Sequence, residues 1–211
     1  SDFSKGTYNW TSSWKTTTHP GYYNSQKDLG SVTTNRSIEL TAPSKYFKMK
    51  RNTNYSLNFK VGMTDNVKSY DVFVLSRKKG DTAAFRDVKM LVRGENVDSN
   101  LMSEKSVFFN SGDYDEAYFR FDNNGSKDGN DATLYIADID LYEGKNPRPW
   151  QPSPEDQNYI LEQAQTIIDR TAQGISTQLT KLESRTDPNG ELEQRMQTYS
   201  EKAAVDAVKA T

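Results

Sequence analysis

The side chains best suited to recognise a ligand lie in one polar stretch near the start of the chain, NWTSSWKTTTHPGYYNSQ, residues 9–26. Tryptophan and tyrosine stand there among hydroxyl and amide side chains, with almost no aliphatic residues. An aromatic ring stacks on the C–H face of a sugar, while amides and charged groups hydrogen-bond the sugar hydroxyls. The pattern predicts a carbohydrate site, with Trp14, Tyr22 and Tyr23 as stacking residues and His19, Asn24 and, from further along the chain, Arg77 as polar contacts.

The two tryptophans of this stretch have a second interpretation. Large indole rings are common in protein cores, so Trp10, Trp14 or both are expected to fill the core instead of meeting a ligand. Tyr22 and Tyr23 stand beside glycine and asparagine, a turn-forming context in which we expect exposed side chains. Composition alone therefore leaves open which aromatic residues reach solvent.

Residues for catalysis are scarce. The chain has no cysteine, which excludes disulfides, thiolate metal sites and thiol nucleophiles. His19 is the single histidine, and TTTHPGYY around it offers no partner carboxylate. Cleavage of a glycan requires two carboxylates that face each other across a cleft, and acids near strand ends are common in any sheet protein. We therefore predict a protein without enzymatic activity.

The stretch DNNGSKDGND, residues 122–131, is denser in oxygen ligands than an ordinary turn. Ca²⁺ takes about six to eight oxygen ligands, but the spacing here is not that of an EF-hand and the closing glutamate is missing. A solvated hairpin loop is the alternative, and we favour it.

The charge balance limits the partners. With 27 basic and 29 acidic residues the formal net charge is −2, and the two signs are interspersed. Neither a nucleic acid nor an anionic membrane surface is therefore an expected partner. No apolar run reaches the roughly 18 residues that a membrane span requires.

Residues 1–146 carry the pattern of β-strands. Apolar and polar side chains alternate in NYSLNFKVG, residues 54–62, which places the apolar ones on one face of a strand. YDVFVLS, residues 70–76, is apolar on both faces and predicts an interior strand, and ATLYIADIDLYEG, residues 132–144, predicts the last one. Short strands separated by polar turns, without a helical period between them, are typical of an antiparallel β-sandwich or jelly roll.

The period changes after a proline-rich linker. The sequence predicts a linker over 147–154, a helix over 155–185 with Ser153 as its N-cap, a turn over 186–191 and a second helix over 192–211. A seven-residue repeat predicts a coiled coil through Leu161, Ile168, Ile175 and Leu182. The apolar stripe is broader than two strands need, which favours a homotrimer; helices that fold back on the sandwich are the alternative. The chain stops inside a helical pattern, so we expect a piece of a longer protein.

Two stretches resemble known families. The closing strand YIADIDL, residues 135–141, resembles the last strand of jelly-roll carbohydrate-binding modules of the galactose-binding-like type. The junction EGKNPRPWQPSPED, residues 143–156, resembles the segment that joins such a strand to coiled-coil helices in tail and baseplate proteins of phages and prophages of Gram-positive bacteria.

The resemblance implies a mainly β carbohydrate-binding module, not an enzyme, in a phage tail or baseplate protein. Its expected partners are the host cell-wall polysaccharide and other tail or baseplate proteins, and its expected location is the virion, acting at the bacterial surface. No cofactor is required, although some such modules hold a structural Ca²⁺, for which Asp138 is the matching position. Trp150, inside the junction, is expected to anchor the linker by packing and is left out of the ligand site. The alternative function is a structural spacer or docking domain of a tail fibre that binds no sugar.

Overall fold

Ten strands and two helices follow one another along the residues that the computed structural model describes, which are 3, 6–18, 28–99, 101–186 and 190–209. The strands are β1 (Lys15–Thr17), β2 (Leu29–Thr34), β3 (Leu40–Pro43), β4 (Phe47–Lys48), β5 (Asn54–Met63), β6 (Tyr70–Arg77), β7 (Asp87–Glu95), β8 (Ser103–Asn110), β9 (Glu116–Asn123) and β10 (Ala132–Glu143). The helices are α1 (Pro154–Thr186) and α2 (Glu191–Lys209). The chain divides into two compact units, Ser1–Gln157 and Asn158–Thr211.

The strands form two antiparallel sheets. The first sheet has the order β1-β2-β10-β5-β8, and the second has the order β3-β9-β6-β7, with β4 also paired to β9. This arrangement confirms the predicted fold class, an antiparallel β-sandwich followed by a helical segment. It also confirms that residues 70–76 form an interior strand, because β6 pairs with β7 on one side and with β9 on the other.

The core lies between the sheets and is built by the alternation that the sequence shows. Along β5, Leu57, Phe59 and Val61 are at most 2% exposed, while the residues between them lie on the outer face of the first sheet. Full burial of a side chain of this size stabilises the fold by about 1.5–3 kcal/mol. Opposite them, Val72 and Val74 of β6 are completely buried.

One polar side chain ties the two sheets together inside this core. Asn123, at the end of β9, is completely buried. Its Nδ2 donates to the carbonyl oxygens of Val32 at 3.0 Å and Ala132 at 2.9 Å, and its Oδ1 accepts from Gly125 N at 3.1 Å. Each hydrogen-bonding atom of the side chain thus has a partner, as a buried amide requires.

The last strand contains a β-bulge. Its pairing with β5 shifts between Ala137 and Asp140, and Asp138 has a φ of 48°. Ile136 and Ile139 both reach the core although they are three positions apart, so one extra residue is accommodated between them. A bulge re-aims the neighbouring side chains, and here it places Asp138 beside Lys60 of β5.

The helical segment starts as the sequence predicts. Gln157 N donates to Ser153 O at 2.9 Å, so Ser153 occupies the N-cap position and Pro154 the first turn. The side chains of the heptad repeat are exposed by 66%, 59%, 64% and 58% at Leu161, Ile168, Ile175 and Leu182. Neither helix is long and apolar enough, over its described residues, to cross a membrane.

Candidate functional site

The structure corrects the assignment of Trp14 as a stacking residue. Its side chain is only 3% exposed, and its ring packs against Phe3, Trp10 and Phe121 at centroid distances of 5.6, 4.5 and 5.8 Å. An indole held between three other rings presents no face to a ligand. Trp10 is also only 7% exposed. Both tryptophans therefore fill the core, as the second interpretation of the sequence predicts.

The remaining predicted contacts do not come together in the described part of the chain. His19, Tyr22, Tyr23 and Asn24 lie outside the described residues and stay predictions. Arg77 lies at the end of β6, where its Nε donates to Glu116 at 2.9 Å and its guanidinium stacks on the Tyr46 ring at 3.8 Å from the centroid. These contacts join the second sheet to its surface loops, so Arg77 serves packing there.

A groove on the outer face of the first sheet is the strongest candidate for a ligand site. Its volume is about 430 Å³. Its lining combines three neighbouring strands with the segment that follows β10: Asn58, Phe59, Lys60, Glu104, Lys105, Ser106, Asp138, Pro147, Arg148, Pro149 and Trp150. The floor comes from β5 and β10, one wall from β8, and the other wall from the proline-rich segment with Trp150.

The floor of the groove is a network of polar side chains. Lys60 Nζ lies 3.2 Å from the Asp138 carboxylate and 3.8 Å from Glu104. Ser106 Oγ donates to Asn58 Oδ1 at 2.7 Å, and Asn58 Nδ2 donates to the Tyr142 hydroxyl at 3.2 Å. The network offers donors and acceptors at fixed positions, because each polar group is held by its neighbour.

The opposite wall is attached to the sheet by an arginine. Arg148 forms a bidentate salt bridge with Asp140, in which Nη2 donates to Oδ1 at 2.6 Å and Nε donates to Oδ2 at 3.2 Å. The same guanidinium lies 4.3 Å from the centroid of the Tyr142 ring. Trp150, two residues further on, is half-buried, and its indole nitrogen is shielded from solvent. The indole is therefore partly covered by the protein and still lines the groove.

This arrangement has the composition of a sugar-binding surface. A planar aromatic ring lines the same groove as an ammonium, a carboxylate, an amide and a hydroxyl, groups that match the apolar face and the hydroxyls of a pyranose. The sequence interpretation assigned Trp150 to packing alone, whereas the structure makes it both an anchor and a lining residue. The signal that could have suggested this is the isolation of Trp150 among prolines, since an exposed aromatic on a stiff segment costs little ordering entropy.

A second, larger cavity of about 590 Å³ lies at the edge of the sandwich. Aromatic side chains line it, including Trp10, Phe47 and Phe119, but these rings belong to the core or pack against it. These rings are already covered on their faces. Tyr46 also lines the cavity and is 42% exposed, but the Arg77 guanidinium stacks on its ring at 3.8 Å from the centroid, so this cavity is the weaker candidate.

Calcium binding at Asp138 stays a prediction. The nearest charged group to its carboxylate is the ammonium of Lys60, which would repel a cation. Among the described residues no group of three or more histidine, aspartate or glutamate side chains is arranged to hold a metal ion.

The oxygen-rich loop 122–131 is closed by its own hydrogen bonds. The Asp128 carboxylate accepts from Asn66 Nδ2 at 3.0 Å, from the backbone and side chain of Asn130, and from Ser126 Oγ. These bonds, the one from Asn66 foremost, lower the pKa of Asp128 below its ordinary value. Residues 122–131 therefore form a hydrogen-bonded hairpin loop, the alternative that the sequence analysis favours.

Comparison with known proteins places the sandwich beside several solved β-sandwich structures. No protein-family model and no curated protein sequence matches the chain. A family 16 carbohydrate-binding module is 18% identical, covers 67% of this chain and 95% of its own, and superposes with a TM-score of 0.47. The CBM22-1 xylan-binding domain from Paenibacillus barcinonensis Xyn10C is 16% identical over 69% of this chain and 93% of its own, with a TM-score of 0.47. The enzymatically active domain of tailspike protein 4 from bacteriophage CBA120 is 11% identical over 66% of this chain and 18% of its own, with a TM-score of 0.44.

Proposed function

We propose that this protein is a non-catalytic carbohydrate-binding module that holds a saccharide in the groove of the first sheet. The observation that carries the proposal is that Trp150 lines the same groove as Asn58, Lys60 and Asp138. Stacking of one sugar ring on an indole removes apolar surface of both from water, which contributes about 25 cal/mol for each Å² buried. The polar floor then selects among sugars, because a misplaced hydroxyl leaves one of these groups without its hydrogen bond.

The ligand we propose is a polysaccharide of the cell wall of a Gram-positive host. The sequence of the junction after β10 supports this context through its resemblance to tail and baseplate proteins of phages. In this proposal the module belongs to the virion, works beside other tail or baseplate proteins, and attaches the particle to the bacterial surface.

The helical segment supports a role as a homotrimer. Ile168 and Ile175 are each about three-fifths exposed in the single chain, 59% and 64%, and a heptad row of such residues requires a partner surface. Three linked copies of a weak sugar site bind a polymer far more strongly than one copy does, because the second and third contacts are intramolecular.

The carboxylates of the groove favour binding over catalysis. Glu104 and Asp138 both pair with the ammonium of Lys60, at 3.8 and 3.2 Å, and a general acid or base would first have to give up that pairing. Release of reducing ends from a polysaccharide that the protein binds would overturn this part of the proposal.

The test is binding of the full chain to a glycan array and to purified cell-wall polysaccharides of Gram-positive bacteria. We expect binding to at least one polysaccharide, and we expect Trp150→Ala to weaken it by about tenfold or more, the effect of losing an aromatic anchor. Phe85→Ala is the matched control, because Phe85 is 44% exposed and does not line the groove.

Two outcomes distinguish the alternatives. If no polysaccharide binds, the spacer function replaces the proposal. If binding persists unchanged in Trp150→Ala but is lost with changes among residues 19–24, the site lies in that segment instead. For the trimer, light scattering should give three times the 24.0 kDa of one chain, and Ile168→Asp should return it to a single chain.

A further inference from the structure

One wall of the groove comes from residues that lie beyond the last strand. β10 ends at Glu143, while Pro147, Pro149 and Trp150 follow it in the linker that leads into α1. A segment without a regular ladder of backbone hydrogen bonds needs side-chain contacts to keep one position. Arg148, in the middle of this segment, supplies such contacts.

Asp140 is the fixed end of the attachment. Its side chain is 5% exposed, and it lies on β10 next to the bulge, in register with Asn58 of β5. The bidentate geometry of a guanidinium on a carboxylate fixes the orientation of the arginine side chain as well as its distance. Arg148 thereby holds the segment against the strand at a position two residues from Trp150.

A second contact links the same arginine to the groove floor. The guanidinium lies over the Tyr142 ring, and the Tyr142 hydroxyl accepts from Asn58, which in turn accepts from Ser106. The contacts therefore continue from the linker wall through the floor to the strand that forms the opposite wall.

We infer that Asp140 and Arg148 form a clamp that positions Trp150 and so completes the saccharide site, which makes ligand affinity depend on the attachment of the linker. The inference rests on the proposed function, because it concerns the same groove. Neither residue needs to touch the sugar. Both are positioning residues: with the clamp open, Trp150 samples many orientations, and binding has to order it again.

The clamp predicts that a bound saccharide stabilises the linker. Since the sugar contacts Trp150 and the clamp holds the segment of Trp150, ligand and clamp stabilise the same conformation of the linker. We expect a bound saccharide to slow trypsin cleavage of the linker after Lys145, whereas the bond after Arg148 precedes a proline and resists trypsin.

The experiment uses the full chain with Asp140→Asn, Arg148→Gln, the double variant and the conservative Arg148→Lys. Purified Gram-positive cell-wall polysaccharide is the probe for affinity, and acrylamide quenching of tryptophan fluorescence without ligand is the second readout. Quenching reports on Trp150, because Trp10 and Trp14 are only 7% and 3% exposed. Lys50→Gln is the matched control. Lys50 pairs with Glu143, which lies on β10 as Asp140 does, but Lys50 does not line the groove.

We expect Asp140→Asn and Arg148→Gln each to weaken binding about tenfold and to increase quenching, as loss of a charge-assisted hydrogen-bond pair predicts. The double variant should lose no more than the stronger single one, and Arg148→Lys should recover part of the affinity. Circular dichroism should show an unchanged fold in all variants.

Unchanged affinity in both single variants, or unchanged quenching, would overturn the clamp. Additive losses in the double variant would do the same, because two residues of one clamp act as a unit. If the wild-type chain binds no polysaccharide, the proposed function fails and the clamp loses its ligand role, while quenching still decides whether it positions Trp150.

Discussion

Raising the pH should destabilise the sandwich through one buried carboxyl group, that of Asp122 on β9. The side chain is completely buried, and one of its oxygens accepts from Arg120 Nε at 2.8 Å. Burial raises the pKa of Asp122 from 3.8 to about 7, because the loss of hydration outweighs the favourable charge of Arg120; nearby Glu39 adds to the increase. The folded protein therefore holds this proton where the unfolded chain has lost it.

The sign and size of the effect follow from proton linkage. A raised pKa gives a stabilisation that is complete below the unfolded value, 3.8, and is lost as the pH rises through about 7. A difference of about three pKa units corresponds to about 4 kcal/mol of unfolding free energy, at 1.36 kcal/mol for each unit. That is a large share of the roughly 5–15 kcal/mol that stabilises a typical domain, so the slope is measurable.

The assay is urea denaturation of the full chain, followed by the fluorescence of Trp10 and Trp14 in the core, at several values between about pH 4 and pH 8. The wild-type unfolding free energy should decrease across this range, and the Asp122→Asn variant should lack the decrease, because an amide does not ionise. At the upper end the variant should be the more stable protein. Parallel profiles for the two proteins would refute the reasoning.

Carboxyl groups whose pKa is lowered in the folded protein do not obscure this result, because their effect on the unfolding free energy has the opposite sign and a different pH range. The hydrogen bond from Arg86, together with the backbone of Ala83, lowers the pKa of Asp81 to about 2. Its stabilisation is present above the unfolded pKa and is lost only as the pH falls toward about 2. The two contributions therefore separate on the pH axis.

Three further substitutions test the packing, each by chemical denaturation of the full chain. Trp14→Ala should lower the unfolding free energy by about 3–5 kcal/mol and leave saccharide affinity unchanged well below the melting temperature, because the ring lies in the core; lost affinity in a folded variant would restore Trp14 to the site. Asn123→Ala should cost about 2–5 kcal/mol, since it leaves two carbonyl groups and one N–H without the amide; a loss below about 1 kcal/mol would mean that water replaces it. Gly125→Ala should cost about 1–3 kcal/mol, because Gly125 has a φ of 103° and a Cβ would lie 2.8 Å from the Ser37 carbonyl carbon; wild-type stability would contradict that geometry.

The strands were predictable because their pattern is local. Residues 54–62 alternate between apolar and polar side chains, residues 132–144 are rich in β-forming apolar side chains, and the structure forms β5 and β10 over Asn54–Met63 and Ala132–Glu143. The helix start was predictable for the same reason, since Ser153 and Pro154 are adjacent in the chain. Signals of this kind need no knowledge of which strands are neighbours.

The groove was not predictable because it depends on which strands are neighbours. Asn58, Ser106 and Asp138 are far apart in the sequence, and they meet because β5 pairs with both β8 and β10. The bulge after Ala137 then decides which acids face outward, and no composition rule shows a bulge of this kind.

Trp14 failed as a predicted contact for a physical reason as well. Its neighbours are serine and threonine, so composition favours an exposed site. The segment is held instead by turns, with Trp10 N donating to Thr7 O at 2.9 Å and Trp14 N donating to Thr11 O at 3.1 Å. Polar residues satisfy the backbone there while the two indoles fill the core, so local polarity does not report side-chain burial.

Because Trp150 lies beyond the last strand, the segment that contains the whole groove is longer than the segment that forms the folded sandwich. The hydrophobic core is complete by Glu143, but the groove is complete only after Trp150. A recombination event that joins this sandwich to another protein at Gly144 would transfer the folded core and leave four of the eleven lining residues of the groove behind. Under the proposed function, genetic exchange at the strand boundary would produce folded recombinants with altered or absent saccharide binding, whereas exchange beyond Trp150 would transfer the whole groove with the fold.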